Sequence, residues 1–150
     1  MVVTSTEVTE QAVPAAPPMS VSRRKQLDRT LQQACLAARI LEDTRGQDTL
    51  VLDLTGVTSI VDFFIVATGT SSRQMKAMAE EVHKTLKNEG SKRIGYEGED
   101  SSQWVLQDYG DLVIHLFTPD ARQLYDLEHL WAEAPRVDWK AIAPTVAPRI

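Results

Sequence analysis

Three histidines are the first candidates for chemistry. His83, His115 and His129 fall on three different expected elements and at no ligand spacing such as i, i+4. A metal site needs convergent ligands that are themselves held by further hydrogen bonds. These histidines read as solvated or packed side chains, and no metal or cofactor is expected. Cys35 is the only cysteine, which excludes an intramolecular disulfide framework and an all-cysteine zinc site. It sits on an apolar helical stripe, with Leu31 one turn before and Ala38 one turn after, and reads as a small hydrophobe rather than a nucleophile. No Gly-x-Ser-x-Gly elbow occurs.

The stretch Gly69–Arg73 (GTSSR) lies between an apolar run and a helix start, where backbone N–H groups and the helix dipole favour anions. Asp53 and Asp62 flank the apolar run and would suit Mg²⁺ beside a nucleotide phosphate. Together they sketch a nucleotidyltransferase or nucleotide-binding site. The loop lacks the glycine density and terminal lysine of a P-loop. The plainer reading is Ser71 capping a helix and Asp62 bonding a turn.

Charge gives a different signal. From Ile94 through Ala121 there is no lysine or arginine, while Glu97, Glu99, Asp100, Asp108, Asp111 and Asp120 make the stretch −6. Residues 22–93 carry 12 bases and 9 acids. The acidic stretch holds Tyr96, Trp104, Tyr109 and Phe117. Aromatic anchors among charges of one sign suit a recognition surface for a basic partner, and would repel a phosphate backbone. The whole chain has net charge −5, which disfavours direct DNA binding.

The elements that must position these groups follow from periodicity. Ser22 can cap a helix to about Glu42, with Leu27, Leu31, Ala34, Cys35, Ala38 and Leu41 on one face. Thr49–Leu54 and Phe63–Thr68 read as strands, the second apolar throughout and so covered on both faces. Ser71 caps a helix through Met75, Met78, Ala79, Val82 and Leu86, ended by Gly90. A short strand is expected near Arg93–Tyr96. Gln103–Gln107 and Leu112–Phe117 form a hairpin with Gly110 at positive φ. Thr118 and Pro119 start a last helix running through Leu124, Leu127, Leu130 and Trp131. The fold class is α/β, a mixed sheet sandwiched by helices.

Alternation puts Trp104, Leu106 and Asp108 on one face of the hairpin, with Val113, His115 and Phe117 likewise sharing a face on the next strand. Both hairpin faces are partly apolar. Pattern alone leaves Trp104 either a core residue under the last helix or an exposed anchor. The 150-residue chain divides into a disordered tail over 1–21, a domain over 22–134 and a loose tail over 135–150, with Trp139 able to fold back. No apolar run approaches the roughly 18 residues that span a bilayer. The N-terminus carries neither a secretory nor a transit signature, and a single cysteine makes the reducing cytoplasm the expected compartment.

The run Asp53–Gln74 (DLTGVTSIVDFFIVATGTSSRQ), Glu97–Gly98, Trp104, Asp108–Asp111 (DYGD), His115, Arg122 and Tyr125–Trp131 (YDLEHLW) resembles the ribosomal silencing factor (RsfS, Iojap-like) family across roughly residues 23–134. The resemblance implies a nucleotidyltransferase-like fold without catalytic equipment. It also implies a non-enzymatic repressor that binds the fourteenth large-subunit ribosomal protein and blocks subunit joining when nutrients are short. By position it implies a partner surface of Trp104, Leu106 and Asp108, with Tyr109 and Phe117 as further contacts. A homodimeric adaptor using the hairpin face on itself is a third reading.

Overall fold

The computed structural model describes residues 18–98 and 102–143. Helix α1 (Val21–Asp43) is capped by Ser20, whose side chain accepts from Arg23 N–H at 3.1 Å. The cap lies two residues ahead of the expected Ser22. Fully buried Ala34, Ala37 and Ala38 let α1 approach the sheet closely. Strand β1 (Gln47–Asp53) and strand β2 (Phe63–Thr68) pair antiparallel. Helix α2 (Ser72–Asn88) begins at Ser71, which accepts from Gln74 N–H, and Gly90 follows its end at φ +88.

Strands β3 (Gly95–Glu97), β4 (Trp104–Asp108) and β5 (Leu112–Phe117) form an antiparallel meander, and β5 then lies parallel to β2. The six-stranded order is β3-β4-β5-β2-β1-β6, where β6 is Arg136–Val137. This is a mixed α/β architecture. Helices α1 and α2 cover one face, burying Met75, Met78, Val82 and Leu86 against Ile65, Ala67, Ile114 and Leu116. No helix among the described residues is long and apolar enough to cross a membrane.

The last expected helix is two. Helix α3 (Pro119–Tyr125) carries its expected Thr118 cap, but Asp126 adopts φ +46 and breaks the run before α4 (Leu127–Leu130). The break carries Leu127 into the core while leaving Leu124 and Leu130 exposed. Of the expected apolar stripe, Leu127 is buried and Trp131 packs edge-on against Phe64, while the other two leucines face solvent.

Residues 136–143, expected to be loose, are folded onto the body. Strand β6 (Arg136–Val137) pairs with β1, and helix α5 (Trp139–Ile142) follows. Trp139 is 4% exposed, donates its indole N–H to Thr49 O at 3.0 Å and lies beneath the Arg39 guanidinium. Without β6, the β1 edge would present unpaired backbone groups to water. The expected tail residues 1–17 and 144–150 lie outside the described residues.

Candidate functional site

Two arrangements were anticipated, and the strands separate them. Asp62 immediately precedes β2 and Gly69 immediately follows it. At the rise of a strand those positions are about 20 Å apart, so the loop and the carboxylates cannot share a phosphate and its metal. Each part is also occupied locally. Asp62 accepts from Arg23 Nη2 at 2.8 Å, and Asp53 accepts from the Thr55 N–H and hydroxyl at 2.9 and 2.6 Å. In the loop, Gln74 Oε1 accepts from the Thr70 N–H, while Ser71 accepts from Gln74 N–H. A Cβ on Gly69 would come within 2.5 Å of Met75 Cγ, so the glycine serves close packing under α2. The nucleotide site is not assembled.

The other histidines and the cysteine have local explanations too. Burial pushes the Cys35 thiol up to about 11, which leaves it protonated and unreactive. His83 Nδ1 lies 3.1 Å from the Tyr109 hydroxyl, and His129 is on the exposed side of α4.

The hairpin does assemble a surface. Cross-strand register opposes Trp104 to Phe117, Leu106 to His115 and Asp108 to Val113, so all six side chains share the face away from α1 and α2. Trp104 is half-buried. Its ring lies 4.9 Å from Phe117 and 4.7 Å from Tyr125, centroid to centroid. Its indole N–H donates to His115 Nδ1 at 3.2 Å. An indole N–H is a donor only, so Nδ1 must be unprotonated and the ring proton resides on Nε2. Burial pushes the His115 pKa down to about 4, which keeps the ring neutral at pH 7.

Of the five expected partner residues, Trp104, Leu106 and Asp108 come together on this face, each partly accessible. Asp108 accepts from Gly110 N–H at 2.8 Å, which steadies the turn. Glu97, opposite Leu106 in register, adds a second carboxylate on the same side.

Tyr109 and Phe117 do not belong to the accessible surface. Tyr109 points to the helix-covered face, where its hydroxyl accepts from Gln107 Nε2 at 3.5 Å and burial pushes its pKa up to about 12. Phe117 is 0% exposed because Trp104 and Ala121 lie over it. It is the seat of Trp104.

Beside Leu106, β5 and β2 leave a groove of about 300 Å³ whose walls include Ile60, Phe64, Val113, His115 and Trp131, with Asp108 on the rim. Tyr125, half-exposed against Trp104, and the groove residues Ile60, Phe64, Val113, His115 and Trp131 were not anticipated as site residues. Alternation from Leu106 to His115 was the available signal for the groove, and none pointed to Tyr125 beyond its motif. Arg122, also in the motif, is structural. Its Nε donates to Glu128 at 3.2 Å and its Nη1 to Thr68 at 2.8 Å, tying α3 and α4 to the end of β2.

Comparison with known proteins agrees with this architecture. The model of the family described as "Ribosomal silencing factor during starvation" matches residues 27–149. The chain is 47% identical over 96 residues to ribosomal silencing factor RsfS of Chromobacterium violaceum, covering 64% of this chain and 79% of that one. It is 39% identical over 103 residues to RsfS of Bacillus subtilis, covering 69% and 87%. A crystal structure of a Chromobacterium violaceum protein superposes with a TM-score of 0.63 at 45% identity, over 67% of this chain and 83% of that one. A family model that covers residues 27–149, relatives of 39–47% identity and a mixed α/β fold shared with a solved structure place the chain in the ribosomal silencing factor (RsfS) family.

Proposed function

We propose that this protein is a translational repressor which binds the large ribosomal subunit through its fourteenth ribosomal protein, on the intersubunit face, and keeps the small subunit away. The observation that carries the reading is the face formed by Trp104, Leu106 and Asp108. An aromatic anchor is held partly accessible among apolar and acidic neighbours, with no lysine or arginine between Ile94 and Ala121. Such a face suits a basic protein and repels bare phosphate. Family membership supplies the ribosome as its setting.

Inhibition then needs occupancy rather than chemistry. A body of this length has a radius of gyration of about 14 Å, thick enough to hold two subunits out of contact wherever it sits between them. The site takes no cofactor in this reading, and the chain works in the cytoplasm, where ribosomes are. Sucrose-gradient sedimentation tests the proposal. The purified chain should travel with large subunits and lower the yield of joined ribosomes when small subunits are added. Joining at full yield with the chain bound would sink the steric mechanism. Failure to travel with large subunits at all would sink the partner.

A further inference from the structure

The groove beside Trp104 is mainly apolar, with Thr58, His115 and Asp108 as the polar side chains of its lining. Phe64, Leu106, Val113 and Trp131 supply the walls, Ile60 stands at 86% exposure on the lip, and the volume is about 300 Å³. That is the lower end of the range for ligand sites, room for one inserted side chain and the backbone that bears it. His115 is the polar group at the floor and is 4% exposed. Trp104 occupies its Nδ1 side. His115 lines the groove and Trp104 does not. Nε2 has no hydrogen-bond partner among the described residues. A buried donor without an acceptor is unusual in a folded protein. On the rim, Asp108 has one carboxylate oxygen engaged by Gly110 N–H.

We propose that this groove receives a single aliphatic or aromatic side chain from a lysine- or arginine-flanked segment of the partner protein, and that His115 Nε2–H donates to a main-chain carbonyl of that segment. The inference rests on the ribosomal-protein reading of the Trp104 face and names what the partner must present to it. Three observations agree on the occupant. The walls are apolar, so the inserted group is apolar. The buried group at the floor is a donor, so the inserted segment brings an acceptor. The rim carries Asp108 within a stretch free of lysine and arginine, so the flanks are cationic and a phosphate-bearing ligand is disfavoured. The groove shares Leu106 and Asp108 with the Trp104 face, which makes anchor and socket one continuous surface.

The test measures binding of the full chain to the isolated fourteenth large-subunit ribosomal protein by titration calorimetry. Three variants are compared with the wild type: Val113→Phe, which fills the groove, Ile60→Lys, which places a cation on its lip, and Trp104→Ala. Val113→Phe should weaken binding at least 30-fold and Ile60→Lys about 10-fold, an effect size within the range of interface truncations. In parallel, the Nε2–H resonance of ¹⁵N-histidine-labelled wild type should move downfield and become protected from water exchange when partner is added.

Wild-type affinity in both groove variants, with Trp104→Ala impaired, overturns the groove and leaves the Trp104 reading standing. Loss of binding in the groove variants with an unmoved Nε2–H resonance overturns the hydrogen bond. Failure of the wild type to bind overturns the partner reading and the groove with it. Because Ile60 is exposed, Ile60→Lys and the resonance decide the matter even where Val113→Phe fails to fold.

Discussion

Replacing Trp104 by alanine separates its seat in the fold from its role as an anchor. Truncating a fully buried aromatic to alanine costs about 3–5 kcal/mol. Trp104 is half-buried against Phe117 and Tyr125, so about 2 kcal/mol of packing is at stake by that scaling. His115 Nδ1 also loses its donor, a further cost of about 1 kcal/mol once water enters the space. A loss of about 3 kcal/mol leaves a domain of ordinary stability, about 5–15 kcal/mol, folded at room temperature. The melting temperature should fall by about 10 °C. Binding to large subunits, measured by co-sedimentation at 20 °C, should weaken at least 30-fold, about 2 kcal/mol, as for a central aromatic hot spot. Trp104→Phe should recover most of the stability, since it keeps the ring on Phe117, and only part of the binding. Wild-type co-sedimentation by a folded Trp104→Ala protein would refute the assignment of Trp104 as anchor.

His115 makes stability pH-dependent in a defined direction. Its folded pKa is about 4 against an ordinary 6.5, so the unfolded chain takes up the proton first. Its contribution is unchanged above pH 6.5 and is lost as pH falls from 6.5 to 4, by about 3 kcal/mol in total. Urea titrations of wild type and His115→Leu should show this slope in the wild type and a smaller one in the variant; equal slopes would remove His115 as the cause. Trp139→Ala, which empties a buried site and releases α5 from the β1 edge, should lower stability by about 3–5 kcal/mol without a specific effect on ribosome binding. A melting point within a degree or two of wild type would show that the C-terminal strap is dispensable. Association with large subunits should slow as salt rises from 50 to 300 mM, because steering by the acidic hairpin is screened over about 8 Å near the middle of that range. On-rates indifferent to salt would detach the carboxylates from the mechanism.

Regular elements were legible in the sequence because each announced its own period. The apolar run Phe63–Thr68 is a central strand with neighbours on both sides, and Thr118–Pro119 starts a helix as its capping chemistry requires. Alternation also placed Trp104, Leu106 and Asp108 on one face, which the register confirms. The site residues that failed did so for identifiable reasons. Tyr109 follows Asp108, so parity turns it toward α2, and the positional likeness to the family that named it took no account of parity. Phe117 shares the Trp104 face, but the ring opposite it in register is Trp104, which covers it. Parity names a face; it does not say which residue on that face lies over which. The break at Asp126 and the two-residue strand Arg136–Val137 were hidden because neither carries a repeat. Both are fixed by tertiary contact, through Leu127 and through backbone bonds to β1.

The same strand that carries the core also explains why the Gly69–Arg73 loop, Asp53 and Asp62 do not assemble a phosphate site. Phe63–Thr68 holds Asp62 at one end and the Gly69 loop at the other. A phosphate-and-metal site would need them side by side. What β2 brings together instead is Phe64, Val113 on the parallel neighbour β5, and, across the hairpin, Leu106 and Trp104. Trp104 is held from three sides, by Phe117, Tyr125 and the His115 nitrogen, before any partner arrives. An anchor already fixed in one rotamer surrenders little side-chain entropy on docking, about 0.5–1.5 kcal/mol less than a free one. On the proposed reading the charge distribution supplies the complementary part: carboxylates of Glu97 and Asp108 on the same face would speed encounter with a basic surface, while the immobilised ring would set how long the complex lasts. Rigid aromatic, acidic rim and apolar groove are thus consequences of one register, in which a shift by a single residue would turn Trp104 under α2 and leave the outer face without an anchor.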